Sequence, residues 1–356
     1  MGLPSINIAF STAASSAIQR SQKGVVGIIV KDTAADGAYT LTKKSDIPSA
    51  LSASNQTYIE SAFLGYASPP RKVILYVLPT SAEDLSEALA YFKTAAAEVD
   101  YLVGPPETGE AEAAEIADWV AEMRADSYTP KAVLPNMAAN SEAIINFTAS
   151  GIKVGAVTYT AAQYCARIAG LIAGTPMTIS CTYAPLPEVS DVTRKTKQEL
   201  DEAIDNGEFV LFHDGSKVKV GRGINSLVTI PPGKSDAFKK IKIVEALDMI
   251  QRDIRTTAED SYIGKYANSY DNKCLLITAI KAYLTSLEAA GILAEGTSDV
   301  QIDLEAQENY LISQGIDTSA MTEQEIKTAA TGDKVFLRAT ISVLDAIEDI
   351  SLTITI

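Results

Sequence analysis

Residues 73–103 read VILYVLPTSAEDLSEALAYFKTAAAEVDYLV. Val73 to Leu78 is an unbroken apolar run of strand length. Ser81 and Asp84 then open a helix that runs to about Ala96, a plausible N-terminal capping arrangement. Tyr101-Leu102-Val103 is a short strand, ended by Gly104-Pro105-Pro106. Continuous apolar strands separated by helices imply a parallel sheet covered on both faces, an α/β fold.

The same alternation extends on both sides. Upstream, Val25-Val26-Gly27-Ile28-Ile29-Val30 starts the folded body. The polar, Ala- and Ser-containing segment between Asp32 and Tyr58 leaves the start of the core open. Downstream, the spacing of Ile116, Trp119, Val120 and Met123 predicts a helix over about Glu110 to Ala125. Ala132 to Leu134 reads as strand, Glu142 to Thr148 as a short helix, and Ile152 to Thr158 as strand. Thr160 to Ala173 reads as an Ala- and Gly-rich helix, and Met177 to Cys181 as strand. A polar helix from Thr196 to Asn206 ends at Gly207. Phe209 to Phe212 and Val218 to Val220 flank His213-Asp214-Gly215-Ser216, a hairpin signal. The Pro-Pro-Gly turn at Pro231 to Gly233 marks a candidate boundary.

The last third is helical at first. Phe238 to about Ile254 is amphipathic, Leu276 to Leu287 lines a second helix, and Asp303 to Gln314 forms a third. Thr322 and Glu325 make a capping box for a fourth. Two strand candidates close the sequence, Val335 to Leu344 and Asp349 to Ile356.

The 356 residues carry a net charge of -15 and are 47% hydrophobic. That is ample for two domains with cores of their own. An acidic chain repels phosphate backbones, which argues against nucleic acid as a partner. The three cysteines lack a C-x-x-C spacing and suit a reducing compartment. No export signal and no membrane-spanning run are expected; Ala156 to Gly174 is interrupted by Gln163 and Arg167.

Motifs for chemistry are sparse. His213 is the single histidine, and it lies at a hairpin tip, so a Ser-His-Asp site would depend on it alone. Gly233-Lys234-Ser235 resembles the end of a phosphate loop, but Val228 stands where the first glycine belongs. Gly221-Arg222-Gly223 lacks the third glycine of a dinucleotide fingerprint. The carboxylates from Glu107 to Asp126 read as the solvated face of one helix. Arg252, Asp253 and Arg255 read as local ion pairs. No catalytic residue, cofactor or metal ligand is assigned.

The ends carry more information. Ile350, Leu352, Ile354 and Ile356 alternate with Ser351, Thr353 and Thr355, the pattern of a strand with one apolar face. Ile6, Ile8 and Phe10 alternate in the same way, followed by a small-residue linker from Ser11 to Ala17. A strand with a bare apolar face pairs either within its own chain or with a neighbour's sheet. The residues alone leave both solutions open.

Four segments, in order, resemble the contractile tail sheath proteins of myophages and R-type bacteriocins, closest to the compact Gram-positive-type form. They are Gly2-Leu3-Pro4-Ser5-Ile6-Asn7-Ile8, then Gly221-Arg222-Gly223-Ile224-Asn225-Ser226-Leu227, then Lys242 to Ile250, and finally Tyr262-Ile263-Gly264-Lys265-Tyr266-Ala267-Asn268. The resemblance covers nearly the whole chain. It implies a subtilisin-like parallel sheet flanked by helices, without subtilisin's catalytic residues, plus a smaller α+β C-terminal domain and extended terminal β-arms. The expected division is an N-terminal arm and linker over 1–20, an α/β domain over 21–233, an α+β domain over 234–344 and a C-terminal β-arm over 345–356. The resemblance further implies hexameric rings stacked around a tail tube protein. The arms link subunits by strand addition, through Ile6, Ile8, Phe10, Ile350, Leu352, Ile354 and Ile356. Baseplate and tail terminator proteins are the other expected partners. Neither nucleic acid nor direct membrane insertion is expected, and assembly takes place in the bacterial cytoplasm. The competing readings are a hydrolase-like α/β enzyme and a small-molecule-binding module.

Overall fold

The computed structural model describes Ile18 and residues 24–355. Its described residues form two compact units. One runs up to Arg252 and includes the segment from Asp345 onward; the other is Asp253–Leu344.

The strands of the first unit are β1 (Val25–Asp32), β2 (Gly37–Leu41), β3 (Lys72–Pro79), β4 (Tyr101–Val103), β5 (Lys131–Pro135), β6 (Ile144–Phe147), β7 (Ile152–Val154), β8 (Val157–Tyr159), β9 (Glu208–Phe209), β10 (Leu211–His213) and β11 (Val218–Val220). Its helices are α1 (Ala53–Ala62), α2 (Ser86–Thr94), α3 (Glu110–Ala125), α4 (Ala161–Ala173) and α5 (Lys197–Asp205), followed by α6 (Ile241–Thr257), which runs on past the unit's edge. Seven strands make one sheet in the order β2-β3-β1-β4-β5-β6-β9. All its neighbours are parallel except the edge pair β2–β3.

The reason for the unbroken apolar runs is visible strand by strand. Val73, Leu75 and Val77 of β3 pack with Val26, Ile28 and Val30 of β1 on the face covered by α1 and α4. Ile74, Tyr76 and Leu78 join Val25 and Ile29 on the face covered by α2 and α3. Alternate side chains therefore enter two different cores, and neither face tolerates polar residues. Helix α4 is buried nearly all round. A Cβ added at Gly170 would lie 2.0 Å from the Ala62 carbonyl oxygen, so this glycine sets how closely α1 and α4 approach.

Charges fasten α6 to the sheet. Lys131 donates to Asp248 at 2.9 Å, and Arg124 holds the same carboxylate with two nitrogens at 3.0 and 3.1 Å. Arg252 donates to Asp100 at 2.8 Å, and Asp100 also accepts the amides of Gly24 and Val25. Arg252 is thus paired across the fold. Asp253 accepts from the Tyr283 hydroxyl at 2.6 Å, and Arg255 pairs locally with Glu259.

The second unit contains α7 (Tyr270–Ala289), β12 (Asp299–Ile302), α8 (Leu304–Ser313), α9 (Glu323–Thr328) and β13 (Leu337–Thr340). Ile280, Tyr283, Leu284 and Leu287 of α7, with Val300 and Ile302 of β12, form its buried centre. The strands β12 and β13 pair antiparallel as a two-stranded sheet.

Two readings are corrected, and a third stays open. Glu142 to Thr148 is not a helix: Ile144–Phe147 is β6, registered parallel to β5, because the sheet needs an apolar strand there. Met177 to Cys181 is a turn, with Ile179 exposed. Asp349 to Ile356 has no strand partner in its own chain among the described residues 349–355.

Candidate functional site

The C-terminal segment re-enters the first unit at Asp345 and is held there by charge. Lys240 contacts Asp345 and lies 3.4 Å from Glu348. Arg222 lies 3.7 Å from Glu348 and grips Asp349 with bonds of 2.6 and 2.7 Å. The hydroxyls of Ser180 and Thr182 donate to the other Glu348 oxygen. The Glu348 side chain is only 5% exposed, whereas that of Asp349 is 82% exposed. Asp349 draws up the Arg222 pKa, chiefly through its hydrogen bond. Burial alone lowers that of Lys240, but Asp345 and Glu348 outweigh it and the net shift is upward.

Local sequence explains why these groups meet. A Cβ at Gly223 would stand 2.9 Å from the Cys181 sulfur and 3.0 Å from the Ser180 hydroxyl, so only glycine lets the two segments touch. Gly223 donates its amide to Thr182 Oγ1 at 2.9 Å and accepts the amide of Ile241 at 3.0 Å. Fully buried Asn225 donates through Nδ2 to the Phe238 carbonyl at 2.8 Å. Segments 222–225 and 238–241 are thereby cross-linked, and Arg222 and Lys240 face the same carboxylate.

Beyond Asp349 the chain leaves this anchor. Ile350, Leu352 and Ile354 are 83%, 77% and 76% exposed. Ile356, and Ile6, Ile8 and Phe10 at the other end, lie outside the described residues. The anchor residues themselves were missed by sequence reading. The available signal was an acidic Asp345–Asp349 segment immediately before an alternating β-branched run.

The motifs weighed for chemistry have other uses. His213 accepts the Gly215 amide at 2.9 Å through Nδ1 and shapes the β10–β11 turn. Lys234 pairs with Glu142 and lies over the Phe238 ring. Asp32, at the C-terminal end of β1, accepts from the amides of Thr33, Ala34 and Ser52 and from Asn55 Nδ2. Burial raises its pKa, but these donors together pull it well below the ordinary carboxylate range. Among the described residues no His, Cys, Asp and Glu cluster has a metal-binding arrangement, and no helix is long and apolar enough to cross a membrane.

Residues 79–226 match the family model for the phage tail sheath protein central domain, and residues 233–356 that for the phage tail sheath C-terminal domain. The tail sheath protein of Clostridium phage phiCD119 is 41% identical over 361 residues, spanning 99% of both chains. The contracted helical sheath of the anti-feeding prophage superposes with a TM-score of 0.74 at 17% identity, covering 100% of this chain and 99% of that one. A sheath tail protein from Desulfitobacterium hafniense gives 0.68 at 18% identity, covering 84% of this chain and 94% of that one. These likenesses define the class: a phage tail sheath protein. The chain belongs to the phage tail sheath protein family.

Proposed function

We propose that this sheath subunit polymerises as stacked hexameric rings around a tail tube, linked by β-strands exchanged between copies. Contraction then slides the rigid bodies while those links persist, driving the tube through a bacterial envelope. The observation that carries the reading is the segment Ile350–Thr355, exposed and without a strand partner in its own chain among the described residues. Three aliphatic side chains spaced two apart in open water are the signature of a strand that completes itself elsewhere. The two-stranded β12–β13 sheet offers outer edges for it.

Energetics favour a lattice over a single contact. Burying four aliphatic side chains gains roughly 6–12 kcal/mol, at about 1.5–3 each. Ordering about eight residues costs a similar amount, on the order of 1–2 kcal/mol per residue. One exchanged strand is marginal; many held at once are stable through multivalency.

The strand order β2-β3-β1-β4-β5-β6-β9 supports a subtilisin-like topology. The engagement of His213 and Asp32 in turns and caps supports a structural rather than a catalytic role. The gap between the two family models, residues 227–232, supports a domain division near Gly233; arms at 1–20 and 345–356 are proposed with it. The proposed partners are further copies of the chain, the tube protein, and baseplate and terminator proteins, in a virion or phage-like particle assembled in the cytoplasm. Ile6, Ile8, Phe10 and Ile356 are proposed as interface residues with Ile350, Leu352 and Ile354.

Electron microscopy of the purified protein tests the reading. Tubes or stacked rings are expected from the full chain, and soluble monomers after deletion of Ile350–Ile356. A full chain that stays monomeric at high concentration, or unchanged assembly after the deletion, would refute it.

A further inference from the structure

The segment Asp345–Asp349 does more than connect β13 to the exposed residues that follow. Its side chains alternate: Ala346 and Glu348 turn towards the first unit, while Ile347, 87% exposed, turns away. The inward Glu348 meets two cations and two hydroxyl donors. The cations come from segments already cross-linked through Gly223, Asn225 and the Ile224–Lys240 bridge. We propose that this acidic latch is a mechanical anchor, which passes tension in the donated strand directly into the sheet-bearing unit at Arg222 and Lys240. The inference rests on the strand-exchange reading and adds the path the force takes.

The chain order makes the alternative clear. Residues 253–344 form a unit of their own, and the next residue already belongs to the other unit. A pull on Ile350–Ile356 by a neighbour reaches Asp349 and Glu348 before it reaches β13. With the latch closed, the pull is borne by a unit with a seven-stranded sheet. With it open, the pull falls on the bonds that tie residues 342–344 to 292–294, and then on the two-stranded β12–β13 sheet. The shielded Glu348 contacts are the ones salt screens least. In the exposed Arg222–Asp349 pair one nitrogen, Nη2, donates to both carboxylate oxygens, and solvent keeps its contribution small.

The latch is present in the isolated chain, so it is tested there first. A nitroxide label at Ile347→Cys, in a Cys274→Ser background, reports the segment's mobility; Cys165 and Cys181 are buried. A slow, broadened spectrum is expected. The double variant Glu348→Gln with Asp349→Asn should sharpen it severalfold, and Arg222→Gln, from the other side of the contact, should do so in part. Unchanged spectra in both would overturn the latch. In the particle, tubes of the double variant should form but break into short stacks under shear that leaves native tubes continuous. Variant tubes as robust as native ones would overturn the force path. Deleting Ile350–Ile356 separates the two ideas. If the deletion leaves assembly intact, the exchange reading fails while the label result still stands.

Discussion

At the residue scale, the informative groups are buried charges rather than catalytic ones. Asp248 is nearly enclosed, and burial raises its pKa, but Lys131 and Arg124 together bring it below the ordinary range. Asp100 follows the same pattern: burial raises it, while Arg252, Lys131 and the Val25 amide prevail and lower it. A carboxyl whose folded pKa is depressed stabilises the fold fully above its unfolded value of about 3.9. That contribution is lost as pH falls through the folded value. Thermal unfolding from neutral pH down to pH ~3 should therefore show a steep acid-side loss of stability. Asp248→Asn should cost about 3–5 kcal/mol at neutral pH, since it removes the carboxylate that buried Lys131 and Arg124 share. It should also flatten the acid-side loss, and equal losses in both proteins would remove Asp248 from the account. None of these partnerships is visible in sequence. Arg252 lies beside Asp253 in the chain, yet its carboxylate is Asp100, brought to it by the return of α6 against the sheet.

At the scale of elements, legibility followed burial geometry. Strands β1 and β3 were readable because both faces of each are apolar, and α3 because one face alone is. The 142–148 stretch misled because Glu142 and Thr148 bracket five residues with no period to read, and the neighbouring strand β5 makes Ile144–Phe147 a strand. The R-G-I-N segment was legible as a family resemblance, but its work was not. Arg222 and Gly223 matter through Glu348 and Ser180, far away in sequence. The packing of α1 on α4 gives a direct test. Gly170→Ala places a methyl group against the Ala62 carbonyl, and overpacking of this kind costs about 1–3 kcal/mol. Chemical denaturation should show that loss, and a variant as stable as the native chain would mean the helices part freely.

At the scale of the whole molecule, the sequence of the C-terminal end shows an alternating pattern, but not what it pairs with. A strand's pairing is decided by what lies alongside it, and within one chain nothing lies alongside Ile350–Thr355 among the described residues. The acidic charge of -15 bears on the same question. Like-charged copies repel at long range, so assembly has to be won by apolar burial and many simultaneous links. The proposed strand exchange would supply both, and the proposed Glu348 anchor would fix where each exchanged strand departs.

The most direct test is a side-chain-resolution reconstruction of tubes assembled from the full-length chain. Residues 350–356 are expected as a strand hydrogen-bonded to a sheet of an adjacent copy, leaving its own subunit at the Arg222–Glu348 contact. Density showing those residues folded back on their own subunit, with no strand crossing between copies, would contradict the account.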